Sequence, residues 1–277
     1  MRESEIGRAV AAGMSIVTTL DLTVEDAVVI HNSNRLAVRL RPCEVLARVA
    51  PVGARDGAEF EVLLARRLGE TNSPVAELDP RVEPRVYLRD DFAVTLWTHY
   101  EAVANQEVSP SEYAQALKGL HAGMRQVDVT VPHFTDRVAT AQSLVGDPQA
   151  TPDLPDEDRK LLRDTLRELR DAVVDRGADE QILHGEPHPG NLLATRRGPL
   201  FVDLETCCRG PVEFDVAHAP EEVGRVYPAV DPDLLRDCRV LTLAVATTWR
   251  WDRRDQLPSG RQLGEEWLGQ IRSAVDW

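Results

Sequence analysis

Between Leu183 and Leu192 the chain reads Leu-His-Gly-Glu-Pro-His-Pro-Gly-Asn-Leu, and no other segment restricts the fold so tightly. Pro187 and Pro189 each fix φ and remove a backbone donor, while Gly185 and Gly190 favour turns. Neither a helix nor a paired strand can run through the segment. Short apolar runs flank it, Gln181 to Leu183, Leu192 to Ala194 and Leu200 to Leu204, and their length and composition predict short strands around a loop. Such a loop presents His184, Glu186, His188 and Asn191 together, and Asp203 follows at the end of the next strand.

The rest of the chain divides in character around residue 97. Before it, Ser15 to Thr19, Ala27 to His31, Leu36 to Leu40 and Val45 to Val49 cluster β-branched and alternating apolar residues around turn signals such as Asn32-Ser33-Asn34. They predict an antiparallel sheet. Phe60, Leu63, Leu64 and Leu68 recur at helical spacing and predict one helix over Glu59 to Leu68. Arg85 to Leu88 and Phe92 to Trp97 read as further strands about Asp90-Asp91. After residue 97, helices are expected from Pro110-Ser111 to Met124, from about Asp158 to Asp175, and from Leu234 to Trp251. Val145 to Asp158 reads as a surface connection. The fold class is therefore α+β: a small antiparallel lobe carrying one helix, then a larger and mainly helical lobe.

Charge narrows the function. The formal net charge of −14 over 277 residues repels nucleic-acid phosphates and anionic membrane surfaces, and no basic patch offsets it. An acidic surface of this kind serves solubility, the commoner role, and equally suits a cationic small molecule. Cys43, Cys207, Cys208 and Cys238 are too few for a disulfide framework and lack metal-ligand spacing, so they read as reduced thiols. Glu3 and Glu5 stand where a signal peptide carries positive charge, and no apolar run approaches the roughly 18 residues of a membrane span. A cytoplasmic protein is expected.

Phosphoryl transfer from a nucleotide needs a carboxylate to orient the attacking hydroxyl and oxygen ligands to hold a metal on the phosphates. Glu186, Asn191 and Asp203 supply those groups, in the chain order that protein kinases also use. As separate residues, His184 and His188 stand four apart like a zinc-binding helix pair, but Pro187 and Pro189 argue against a helix and favour a bracing role. Glu205 reads as a solvated acid beyond the strand end.

The stretch His184-Gly-Glu-x-His-x-x-Asn191, followed by a strand ending in Asp203, resembles the aminoglycoside phosphotransferase and choline kinase superfamily, whose loop has Asp where this chain has Glu186. The resemblance spans about residues 28 to 220. It implies a protein-kinase-like two-lobed fold, with 1–97 as the nucleotide-binding lobe and 98–277 as the helical lobe bearing the catalytic loop and acceptor site. Glu186 would be the catalytic carboxylate and His184 its brace, with Asn191 and Asp203 holding Mg2+. Asp215, after Gly210, would support the loop backbone. Kinases place Lys on the third strand, paired to a helix Glu. Lys118 and Lys160 are the only lysines here, so Arg48 takes that place, with Glu59 as its chosen partner and Glu61 as the alternative. Ser33 and Asn34 would lie in the hairpin over the phosphates, and Trp97, Thr98 and His99 in the hinge that meets the base. ATP or GTP would be co-substrate, with a hydroxylated small molecule, aminoglycoside-like and suited to positive charge, as acceptor. A nucleotide-binding regulatory module with little catalysis is the competing reading. A metal-dependent hydrolase built on His184, His188 and Glu186 is the third.

Overall fold

Alternation of apolar side chains fixes the first layer. Leu36, Val38 and Leu40 on one strand, and Val45, Ala47 and Val49 on the next, are buried, while the residues between them are partly exposed. This is the period-two pattern of a sheet with one face packed on a core. A computed structural model describes residues 1–33, 35–103 and 107–275. In chain order it contains α1 (Glu3–Thr19), β1 (Val24–Asn32), β2 (Leu36–Pro42), β3 (Val45–Pro51), α2 (Arg55–Gly69), β4 (Tyr87–Arg89), β5 (Phe92–Thr98) and α3 (Pro110–Met124). There follow α4 (Phe134–Gly146), α5 (Asp156–Asp175), β6 (Glu180–Leu183), β7 (Leu192–Thr195), β8 (Gly198–Phe201) and β9 (Cys208–Pro211). The chain closes with α6 (Val212–Val216), α7 (Glu221–Val226), α8 (Pro232–Arg250) and α9 (Gly260–Val275).

These elements form two compact units that interleave along the sequence. One comprises Met1–Glu112, Ala116–Val129 and Gly190–Thr206, and the other comprises Tyr113–Gln115, Thr130–Pro189 and Cys207–Trp277. In the first unit the strands lie in the order β1-β2-β3-β5-β4, all neighbours antiparallel. The segment Ser15 to Thr19, expected as a strand, is the end of α1. Its β-branched residues are overridden by tertiary packing, because Ala9, Ala12, Gly13, Ile16 and Val17 fall on one helical face and bury against the sheet. The lobe thus carries two helices, not the one expected. The sheet's opposite face receives α2, whose buried stripe is Ala58, Glu61, Val62, Leu64, Ala65 and Leu68. The β7–β8 hairpin also belongs to this unit and is joined to it by Phe201 N donating to Pro74 O and Ala76 N to Phe201 O.

The second unit packs α4, α5, α6, α8 and α9 around Phe134, Val138, Leu162, Leu166, Phe214, Leu241 and Ile271, with the two-stranded β6–β9 sheet at its edge. Each such fully buried side chain is worth roughly 1.5–3 kcal/mol. Sequence patterning finds α3, α5 and α8, and α3 begins with Ser109 as N-cap and Pro110 in the first turn. The expected connection from Val145 is shorter, since α4 runs to Gly146 and α5 starts at Asp156. Between them Arg159 donates to the carbonyls of Val145, Thr151 and Leu154 and holds the segment in place. Among the described residues no helix is long and apolar enough to cross a membrane.

Gly210 on β9 is the tightest point of this second core. A Cβ there would stand 3.0 Å from Cδ1 of Phe134 and 3.2 Å from Cδ1 of Leu183, both fully buried. Gly210→Ala is therefore expected to destabilise the protein by about 1–3 kcal/mol. Thermal melting checks this, and an unchanged midpoint would contradict the packing.

Candidate active site

In the first unit, the alternation that points Val45, Ala47 and Val49 toward α1 sends Arg48 to the other face of the sheet. There its guanidinium meets Glu61 on α2 and, through Nη2, lies 2.8 Å from Oδ1 of Asp203. Glu61 is fully buried and is shared: Arg35 Nη1 reaches its other oxygen at 2.5 Å, and the Leu204 N–H donates to it at 3.2 Å. Arg35 also pairs with Glu205. The result is a continuous chain of charges, Glu205–Arg35–Glu61–Arg48–Asp203. Burial opposes the charge on Arg48, but the carboxylates of Glu61 and Asp203 more than offset it and leave its pKa raised. Burial also raises the pKa of Glu205, with Arg35 working the other way.

The partner of Arg48 is thus Glu61 and not Glu59. Glu59 is 48% exposed at its side chain and pairs with Arg55 one turn earlier. The reason is helical register. Ala58, Glu61, Val62 and Ala65 share the buried stripe of α2, and Glu59 falls outside it. That spacing is readable in the sequence. The involvement of Arg35 is not, because its partners lie 26 and 170 positions away.

Asp203 adopts φ +69°, a left-handed conformation that Asp tolerates better than most residues but that still costs free energy outside glycine. The turn it makes brings the next amide, that of Leu204, onto Glu61. Asn191 ends a 3-10 turn at Pro189–Asn191, and its carbonyl accepts from the Val202 N–H at 3.0 Å, so the backbone ties it next to the strand end that carries Asp203. Trp97 is buried, donates Nε1 to the Thr95 hydroxyl at 2.8 Å, and has the Arg48 guanidinium 5.9 Å from its ring. The Thr98 and His99 amides donate to the carbonyls of Glu77 and Glu44. Ser33 stands after β1 with its amide bonded to Arg35 O at 3.0 Å, and Asn34 lies outside the described residues.

In the second unit the chain leaves β6 through His184, whose side chain is fully buried. The amides of His184 and Gly185 donate to the two oxygens of Asp215, each at 2.8 Å, and that carboxylate is itself fully buried on α6. Gly185 has φ +87°, which its lack of a Cβ permits. The Glu186 amide lies 3.4 Å from Nδ1 of His184, the His188 amide donates to Glu186 O at 2.8 Å, and the Tyr113 hydroxyl donates to Pro187 O. The Glu186 carboxylate is ion-paired with Arg137 on α4. His218 stacks edge-on against Phe214 with ring centroids 5.5 Å apart, and burial pushes its pKa down to about 4. Arg137 and His218 carry no signal in the sequence, since Arg137 arrives from α4 and His218 from the turn after α6. Among the described residues, no group of three or more His, Cys, Asp or Glu side chains is arranged to hold a metal ion, and His184 and His188 lie in turns and not on a helix.

Two outcomes follow from these contacts. Glu61→Ala is expected to cost about 3–5 kcal/mol, because it removes the fully buried carboxylate that both arginines share and leaves each with one partly exposed partner, Glu205 or Asp203, while Glu59→Ala shifts stability by less than about 0.5 kcal/mol. Denaturant unfolding of both variants checks the contrast. For His218 the folded pKa of about 4 lies below the usual 6.5, so the unfolded state binds the proton first. Stability is then fully present above about pH 6.5 and is lost as pH falls toward 4, by at most about 3 kcal/mol. His218→Gln should melt with a shallower acid dependence than the parent, and identical slopes would contradict the assignment.

The family model described as phosphotransferase enzyme family matches residues 25–254. No curated protein sequence matches the chain. Among solved structures, the amicoumacin kinase hAmiN in complex with AMP-PNP, Ca2+ and Ami is similar at TM-score 0.74 and 11% identity, covering 99% of this chain and 97% of that one. The GDP complex of wild-type aminoglycoside 2'-phosphotransferase-IIIa is similar at TM-score 0.70 and 13% identity, covering 99% of each chain. Choline kinase LicA from Streptococcus pneumoniae is similar at TM-score 0.67 and 13% identity, over 94% of this chain and 97% of that one. At such identities the likeness speaks for the fold, which is protein-kinase-like and α+β, with an antiparallel sheet first and a mainly helical remainder. From the match of the family model over most of its length, the chain belongs to the phosphotransferase enzyme family.

Proposed function

We propose that this protein is a small-molecule kinase that transfers the γ-phosphoryl group of ATP or GTP to a hydroxyl of an aminoglycoside-like or other hydroxylated acceptor. The observation that carries the reading is Arg48, held by buried Glu61 and bonded at the same time to Asp203. A permanently charged, bidentate cation fixed at the strand position where kinases hold phosphates is suited to gripping a nucleotide's phosphates. Residues 1–97 would form the nucleotide-binding lobe and 98–277 the lobe bearing the acceptor site, with Ser33 and Asn34 near the phosphates and Trp97, Thr98 and His99 near the base.

Asn191 and Asp203 offer two oxygen donors tied together by the backbone, a set that fits magnesium, which takes one or two protein oxygens and completes its shell with phosphates and water. A bound Mg2+ would neutralise charge on the phosphates. Glu186 would orient the acceptor hydroxyl and receive its proton as the new P–O bond forms and the bond from the γ-phosphorus to the leaving nucleoside diphosphate breaks. His184, fully buried within the loop, would brace it. The carbonyls and amides from 184 to 188 are fixed by Asp215 and Tyr113, so the carboxylate works from a rigid loop. The net charge of −14 favours a cationic acceptor. Nucleotides in the hAmiN and 2'-phosphotransferase structures support the co-substrate class.

Magnesium-dependent turnover of ATP and GTP against aminoglycosides, choline-like amines and sugars tests the proposal. Asp203→Ala and Glu186→Gln are each expected to lower turnover by at least about 100-fold. Nucleotide binding without turnover in the parent protein, for every acceptor tried, would favour the regulatory reading.

A further inference from the structure

Glu186 stands in a loop built from Gly185, Pro187 and Pro189, outside any helix or strand. Its carboxylate is nonetheless held, by an ion pair to Arg137 in the first turn of α4. Both side chains are mostly buried, at 27% and 22% exposure, so the pair is screened less than a surface one. Its foundation is firm. Phe134 and Val138, on either side of Arg137 along α4, are fully buried in the second core, and Phe134 packs against Gly210 and Phe214. His218, which feels the charges of both Glu186 and Arg137, is kept neutral by burial and adds no charge to the pair.

We infer that Arg137 is a positioning residue for Glu186, fixing the orienting carboxylate at the end of its longer side chain so that a glutamate serves in this loop. The inference rests on the reading of Glu186 as the group that orients the attacking hydroxyl. Removing one methylene by Glu186→Asp would draw the carboxylate back by about one C–C bond, roughly 1.5 Å, and beyond hydrogen-bond reach of Arg137. Each residue is then worth little without the other, because a displacement of about 1 Å at a reacting group can cost on the order of 100-fold in rate.

The test is a double-mutant cycle on magnesium-dependent hydrolysis of ATP and GTP to water, which needs no identified acceptor, repeated with any acceptor that stimulates turnover. Arg137→Ala and Arg137→Gln are expected to lower kcat by about 10- to 100-fold while nucleotide KM changes less than about 3-fold. Arg137→Lys should fall between these and the parent. Glu186→Asp should be about as damaging as Arg137→Ala, and the double variant no worse than either single one. If Arg137→Ala does not fold, as judged by melting, Arg137→Gln and Arg137→Lys carry the test. A kcat within about 2-fold of the parent in the Arg137 variants, with Glu186→Gln inactive, overturns the inference alone, as does additivity in the cycle. Undiminished turnover in Glu186→Gln, or none in the parent, overturns the reading of Glu186 as well.

Discussion

A buried carboxylate is tolerable only when its charge is met. Glu61 is met twice, by Arg35 and Arg48, and a third time by the amide of Leu204. Removing a carboxylate from water costs several kcal/mol even after relaxation, so the fold of the first unit is committed to bringing both arginines to α2. This single requirement links five side chains from four separate segments. Arg35 leaves the β1–β2 turn, Arg48 comes from β3, Glu61 from α2, and Asp203 and Glu205 follow β8. With every member ionised the network holds three carboxylates and two guanidinium groups, one negative charge in excess. It is thus an arrangement in which a further cation is favourable beside Asp203 and in which Arg48 stays charged at any accessible pH.

The second unit solves a matching problem differently. A loop rich in proline and glycine has amides that no strand or helix can satisfy, and buried amides without partners are costly. Asp215 answers this by accepting from two successive N–H groups, Tyr113 braces the loop from outside it, and His184 does so from within. Rigidity here comes chiefly from side chains placed by α3 and α6, with His184 and one backbone bond inside the loop adding to it. In chemical terms that is what an orienting carboxylate needs, since the rate of a positioned reaction falls steeply with small displacements.

Much of this was legible in the sequence. The turn residues from Gly185 to Gly190 forced a loop, the short apolar runs around it became β6, β7 and β8, and the alternation in β2 and β3 set which side of the sheet Arg48 would face. Asp215 was legible through its resemblance to a motif, and the structure puts its carboxylate on the loop amides. The strand read at Ser15 to Thr19 was wrong, because β-branched residues carry only a weak preference and a helical face of five small and apolar residues overrode it. Glu61 could have been chosen over Glu59 by asking which of the two shares a stripe with Ala58, Val62 and Ala65.

By itself, then, the sequence determined the elements with strong periodicity, the position of the polar loop, and the residue types available for chemistry, since these depend on neighbours within a few positions. Only the tertiary structure decided which distant charges meet: Arg35 with Glu61 and with Glu205 across 170 positions, Arg48 with Asp203, and Arg137 with Glu186, with His218 beside them. An ion pair leaves no periodic trace in the chain. Its partners are selected by the burial of one of them and by the geometry of helices and strands that bring distant segments to the same place, where low effective dielectric makes an unmatched charge too costly to keep.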